Sequence, residues 1–323
     1  MNDLNPSISV IMSVFGYKEL VSGSIESILQ QTFKKFVFII IDDGCDYDLE
    51  QIIRTFKDSR IIYLKNEENI GLTRSLNRGL KLSKTEYIVR QDAGNISVPE
   101  RIEKQQCFLE NNPEYFLVGS SAILIDEEGN ELCRETTEVD FNKISHKLGS
   151  HNCIYHSSIM FRNDRNYYYR DKFKYSQDYD LYLRLLSDGI KITNLPDFLI
   201  KERLLQNSIT YYSREQQQFF KDVALKFYFE RLATGKDSYS DFENKKMSPE
   251  AKNQKNSKSD KKFFFRQKAY LLLYCFKFSE LRETIKKYHN ENKLDLKLIY
   301  YFCLSYLPPV VNFIKTKKGI KIS

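Results

Sequence analysis

Three short stretches of the chain carry acidic residues where a fold would present them rather than bury them in the middle of an element. Asp42-Asp43-Gly44 follows the apolar run Phe36 to Ile41, and Asp92-Ala93-Gly94-Asn95 follows Tyr87-Ile88-Val89 in the segment RQDAGNIS. Gln177-Asp178-Tyr179-Asp180 opens a stretch of helical apolar spacing that runs to Leu186. A carboxylate at such a place can accept hydrogen bonds from a ligand, contribute to a hard-cation site, or take a proton from a reacting hydroxyl. It can equally cap a turn or the first turn of a helix. An acidic pair alone decides nothing, and the elements that would bring the three stretches together carry the argument.

Ile8 to Val14 is β-branched and apolar, and Phe36 to Ile41 repeats the pattern. Between them, Glu19 to Gln31 has its apolar residues at helical spacing. The alternation continues with helix at Gln51 to Phe56, strand at Ile61 to Leu64, helix at Leu72 to Leu82 and strand at Tyr87 to Arg90. Strands alternating with helices predict an α/β fold with a Rossmann-like, mainly parallel central sheet covered by helices on both faces. Ligands of such sheets bind beyond the carboxyl ends of the strands, where Ser13-Val14-Phe15-Gly16, Asp42-Asp43-Gly44 and Asp92 to Asn95 all fall. A helix from Pro99 to Asn111, a strand from Leu117 to Asp126, a turn at Glu127 to Asn130 and an amphipathic helix from Ser213 to Leu232 are also expected.

The chain has 323 residues, 41% of them hydrophobic, enough for a sizeable core. Its first residues lack a basic start and a sustained apolar stretch, so a cytoplasmic protein is expected. Six scattered cysteines without a C-x-x-C pair argue against a zinc site or a disulfide framework. The net charge of +7 is unevenly spread: residues 244 to 323 hold 19 Lys and Arg against 6 Asp and Glu, whereas residues 1 to 243 hold 31 against 37. Residues 237 to 262 read as a charged linker, and 263 to 323 as a basic helical tail. The apolar run Leu298 to Leu307 is only ten residues, against about 20 needed to cross a bilayer, and Pro308-Pro309 breaks its continuation. The tail therefore lies on an anionic membrane surface or packs as a helical pair on the preceding domain. Nucleic-acid binding lacks a recognisable signature, and a nicotinamide-binding fold would need G-x-G-x-x-G where Ser13 to Lys18 has one glycine.

Taken in order, ISVIMSVFGYKELVSGSIESILQQTFKKFVFIIIDDG, NEENIGLTRSLNRGLKLSKTEYIVRQDAGNIS and YSQDYDLYLRLL resemble the family 2 glycosyltransferases of GT-A fold over residues 7 to 212. The resemblance implies a 1–212 catalytic domain, the 213–236 helix and the C-terminal appendage. It also implies transfer of a sugar from a nucleoside diphosphate, such as UDP, to a glycan or lipid-linked acceptor of a surface polysaccharide, with inversion, at the inner face of the cell membrane. Ser13 and Phe15 match the nucleoside pocket, with Asp43 as reader of the base. Asp42 stands there too, as ligand or turn cap. Arg74 would approach phosphate or be solvated.

Asp92 stands where the family's D-x-D begins, which implies a Mn²⁺ or Mg²⁺ ion. Here Gly94 replaces the second acid, Asn95 offers only an amide oxygen, and Leu205 stands in place of a metal-binding histidine. The cation is thus expected to be weakly held or replaced by Lys65, Arg74, Arg90 or Arg203. Asp178 matches the general base, with helix capping as the alternative, and Asp180 is the structural acid. Gln177 replaces a glutamate, and loss of that charge is expected to lower the proton affinity of Asp178. His156 is acceptor-positioning or structural, and Tyr167 to Arg170 line an acceptor groove or form a half-buried loop. These departures also raise a second possibility, an impaired homologue that binds nucleotide or glycan as a partner subunit.

Overall fold

The computed structural model describes residues 6–205, 213–243, 258–292, 294–318 and 320. The junction expected at 212 and most of the linker expected at 237–262 lie outside them, while 258–262 already belong to a helix.

The first strand, β1 (Ile8–Val14), has all seven residues buried, as a strand covered on both faces must. Helix α1 (Lys18–Leu29) crosses to β2 (Phe36–Asp42), α2 (Leu49–Thr55) to β3 (Ile61–Lys65), and α3 (Leu72–Leu82) to β4 (Tyr87–Asp92). These four strands are parallel in the order β3-β2-β1-β4. Their core is β-branched and aromatic, from Val10, Met12, Phe38 and Ile40 to Val89.

Beyond β4 the sheet changes direction. A two-residue β5 (Ile96–Ser97) and α4 (Arg101–Asn111) lead to β6 (Tyr115–Ile125), β7 (Glu131–Glu135), α5 (Phe141–Leu148), a single 3₁₀ turn at His156–Ser158 and β8 (Met160–Arg162). After α6 (Gln177–Ser187), β9 (Lys191–Arg203) extends the sheet, giving the order β3-β2-β1-β4-β8-β6-β9-β5 with β7 beside β6. Strand β8 runs antiparallel to β4 and β6, and β5 antiparallel to β9. The parallel half thus matches the sequence expectation, while β5, β7, β8 and β9 are additions to it.

The described chain divides into two compact units. The first comprises residues 1–122, 137–202 and 216–244, and includes most of α7 (Arg214–Thr234). In it Phe173 stacks on Tyr239 and packs at tilted or edge-on angles against Phe220, Phe227 and Phe242. The second comprises 123–136, 203–215 and 245–323. It holds α8 (Lys258–Tyr274), α9 (Phe278–Glu291), α10 (Leu296–Leu304) and α11 (Pro308–Lys318), around a core that includes Leu132, Phe265, Leu272, Leu281 and Leu298. The C-terminal helices thus form a unit with its own core, to which β7 contributes Leu132. The run expected from Leu294 to Ile314 is two helices, bent by 111° at Ser305 to Leu307, because Pro308 starts the second.

Candidate active site

Register fixes which strand ends meet. Ser13 pairs with Asp92, and Val14 with Asp42, so the tip of β1 lies between the two acids. Strands about 4.8 Å apart put the Asp42 and Asp92 backbones roughly 10 Å from each other. Ser13 is nearly buried there, whereas Phe15, just beyond the strand, is 56% exposed.

Asp42 and Asp43 both turn inward. One oxygen of Asp42 accepts from the Cys45 N–H (2.8 Å) and the other from the Tyr63 hydroxyl (2.8 Å). Of the two readings of Asp42, this geometry shows the turn cap. Asp43 accepts from Asn66 Nδ2 (2.8 Å), from the Ile70 N–H (2.9 Å) and, on its other oxygen, from the Gly71 N–H (3.0 Å). It therefore shapes the loop of residues 66–71. A carboxylate has about four acceptor directions, so one remains for a ligand. Gly71, at φ 88°, is the N-cap of α3, a conformation that suits glycine. One turn on, Arg74 is exposed and without a partner among the described residues.

Asp92 ends β4 beside Arg90. Arg90 is 2% exposed, donates through Nη2 to Asp92, and has no partner for Nε or Nη1 among the described residues. The chain then turns at Gly94, whose φ is +99° and whose N–H donates to Ser24 Oγ (2.8 Å). Asn95 gives its amide N–H to Glu202, at the end of β9. Glu202 also accepts from Ser157 Oγ (2.6 Å). Burial and then the Asp92 charge push its carboxyl up to about 7. The sequence reading missed Glu202. The signal for it was faint, since a single acid in the run Ile200-Lys201-Glu202-Arg203 looks solvated until β9 is known to pair with β5.

The donors at this turn do not form the usual cation site. Asp92 is engaged by Arg90, position 94 has no side chain, and the Asn95 amide faces Glu202; Leu205, in the second unit, is buried and apolar. Among the described residues, no three His, Cys, Asp or Glu side chains are grouped to hold a metal. Of the other cations offered for phosphate, Arg203 donates to the Asp126 and Glu127 carbonyls in the second unit, and Lys65 is exposed.

Asp178 lies in the first turn of α6, whose N-cap is Ser176, so it is not the cap itself. Its Oδ2 accepts from Asn152 Nδ2 (2.8 Å), and its side chain is only partly covered. Burial, assisted by the charge of Asp92, raises its proton affinity against the lowering effect of backbone N–H groups and Asn152. Gln177 adds no charge there, so burial comes first among the causes of a proton affinity above that of an ordinary aspartate. Asp92 and Asp178 feel each other's charge, while Asp43 sits at the same rim but faces its own loop. Asp180 lies between Arg170 and Arg184 as a structural acid.

His156 Nε2 meets the Tyr169 hydroxyl at 2.7 Å, the rings packing edge to face. Burial and the Arg90 charge hold the imidazole well below its ordinary pKa, so it is neutral near pH 7. Tyr169 is buried and Tyr167 bonds Asp188 (3.0 Å), which matches a packed loop better than an open groove. Fragments distant in sequence, at 90–95, 152–157, 169, 178 and 202, thus form one polar cluster in the first unit.

Comparison with known proteins agrees with this arrangement. The profile described as Glycosyl transferase family 2 matches residues 9–172. An uncharacterized glycosyltransferase of Methanocaldococcus jannaschii is 36% identical over 220 residues, 66% of this chain and 76% of its own length. The O-antigen biosynthesis glycosyltransferase WbnJ of Escherichia coli is 35% identical over 210 residues, 62% of this chain and 81% of its own. Among solved structures, S. aureus TarS 1-349 in complex with UDP-GlcNAc superposes with a TM-score of 0.53 at 14% identity, covering 97% of this chain and 92% of that one, a likeness of fold. The profile spans half of the chain, and sequence motifs, parallel sheet and strand-end acids point the same way: the chain belongs to glycosyltransferase family 2.

Proposed function

We propose that the protein transfers a hexosyl group, with inversion, from a nucleoside diphosphate sugar, a UDP-sugar, to a glycan or lipid-linked acceptor in surface-polysaccharide biosynthesis. The observation that carries this reading is Asp178: a partly exposed carboxylate of raised proton affinity, held by Asn152 and close enough to Asp92 to feel its charge. The E. coli relative is named for O-antigen biosynthesis, and the TarS neighbour was solved with UDP-GlcNAc, which supports donor and pathway class.

In this reading Phe15 stacks on the base and the loop held by Asp43 forms the nucleoside wall, with Ser13 at the strand tip. Asp178 accepts the proton of the acceptor hydroxyl. The oxygen forms its bond to the anomeric carbon as the bond from that carbon to the diphosphate oxygen breaks, its electron pair leaving on the diphosphate. One displacement from the opposite face gives inversion. The diphosphate is met by Arg74 and by the cationic surroundings of Arg90, with a divalent ion at most loosely held at Asp92. His156, neutral and bonded to Tyr169, orients the acceptor side.

The test is release of UDP from a panel of UDP-sugars in the presence of undecaprenyl-diphosphate-linked sugar acceptors, with Mg²⁺ and with chelator. Asp178→Asn should lower turnover by roughly 10² to 10⁴ while UDP binding changes little. Equal turnover by that variant would remove Asp178 from the mechanism. UDP binding without turnover of any donor would favour the impaired partner subunit.

A further inference from the structure

We infer that Glu202 is the residue that positions the Asp92 turn, by a bond from β9 to Asn95. The inference rests on the transferase reading above. The antiparallel pairs Ile96 with Lys201 and Ser97 with Ile200 bring Asn95 level with Glu202. One carboxylate oxygen, Oε2, then accepts from both Asn95 Nδ2 and Ser157 Oγ, two donors that are themselves nearly buried. Asn95 ends the turn begun by Asp92, and its carbonyl is fixed by Gln91 Nε2 (2.9 Å). Ser157 lies in the 3₁₀ turn next to His156. A single side chain thus ties the donor-side turn to the acceptor-side turn.

Charge balance gives Glu202 a second reason to be there. Arg90 and Arg101 are both buried, and Arg101 spends its donors on neutral oxygens: Gln105, Gln91, Ser97 and the carbonyls of Arg90 and Ile159. The carboxylates whose fields reach Arg101 are Asp92 and Glu202. Two buried cations are thus offset by one acid from β4 and one from β9, which leaves Asp92 bound to Arg90 in a fixed orientation.

Isothermal titration of UDP into the full chain, in Mg²⁺ and in chelator, tests this with Glu202→Ala, Glu202→Gln and Ser157→Ala. The alanine variant should weaken UDP binding about tenfold or more with an unchanged circular dichroism spectrum. The glutamine variant, whose amide oxygen can accept the same two bonds but which lacks the charge, should weaken UDP binding clearly less than the alanine variant. Loss of one arm in Ser157→Ala should fall between, and that variant keeps the test open if Glu202→Ala does not fold. Wild-type affinity in Glu202→Ala, or in Ser157→Ala where Glu202→Ala is unfolded, overturns the inference while leaving the transferase reading in place. Equal impairment of the alanine and glutamine variants, confined to Mg²⁺-containing buffer, overturns it in favour of a cation ligand. A wild-type chain that fails to bind UDP removes the transferase reading, and this inference with it.

Discussion

A carboxylate works best as a base when its proton affinity approaches the working pH, and Asp178 is moved in that direction by burial and by Asp92. In the proposed mechanism the base must be ionised to accept the acceptor proton, so activity is lost as pH falls through its raised pKa. The acid limb of kcat/KM should therefore lie above the ordinary aspartate value near 3.8. Asp92→Asn removes the like charge, lowers the pKa of Asp178, and should move that limb to lower pH. A profile with the limb unmoved in Asp92→Asn would show that the two groups do not interact in solution. At the same scale, Gln177 shows the limit of counting charges along a sequence. It is buried, and at Asp178 burial, rather than a neighbouring charge, is the first cause of the raised proton affinity.

Elements decide which acids remain available. At the end of β2 the backbone closes a tight turn, which Asp42 holds, while Asp43 holds the loop before α3 and keeps one acceptor direction open. At the end of β4 the turn needs a left-handed residue at 94, and glycine supplies it. Restoring an acid there with Gly94→Asp forces a side chain onto φ +99°, which should cost about 1–2 kcal/mol. The expected result is a lower midpoint in urea unfolding and no Mn²⁺-dependent gain in UDP affinity over wild type. A gain at unchanged stability would mean that the turn can adopt the usual acidic form.

At the scale of the whole molecule, the helical unit of the tail presents exposed apolar surface of its own. Leu294, Leu296, Tyr300, Tyr306, Leu307, Val310 and Phe313 are all at least 41% exposed. From Leu296 to Lys318 the sequence holds four lysines and no acid, and the nearest acid, Asp295, is buried against Lys262 and Arg266 while capping α10. No single described helix is long and apolar enough to cross a membrane, and the bent pair α10–α11 reaches that composition only jointly. Exposed apolar side chains in a segment whose only charges are lysines suit the boundary of an anionic bilayer, which is where a lipid-linked acceptor would be. The chain should sediment with phosphatidylglycerol vesicles and much less with phosphatidylcholine. Leu296→Ser with Phe313→Ser should weaken this several-fold, as should raised salt. Equal sedimentation of the double variant would take this surface out of that role.

The parallel half of the sheet was legible in the order of residues, because buried strands and amphipathic helices impose periods of 2 and 3.6 that need no partner to be read. So were the strand ends that carry acids, the family resemblance and the basic tail. The task of each acid was set by packing. Whether Asp43 faces a ligand or a loop, and whether Glu202 is solvated or holds Asn95 and Ser157, depends on contacts across 23 to 107 positions of sequence. Such contacts, like the desolvation that raises Asp178 and Glu202, arise only when distant segments exclude water together, and no local pattern encodes that.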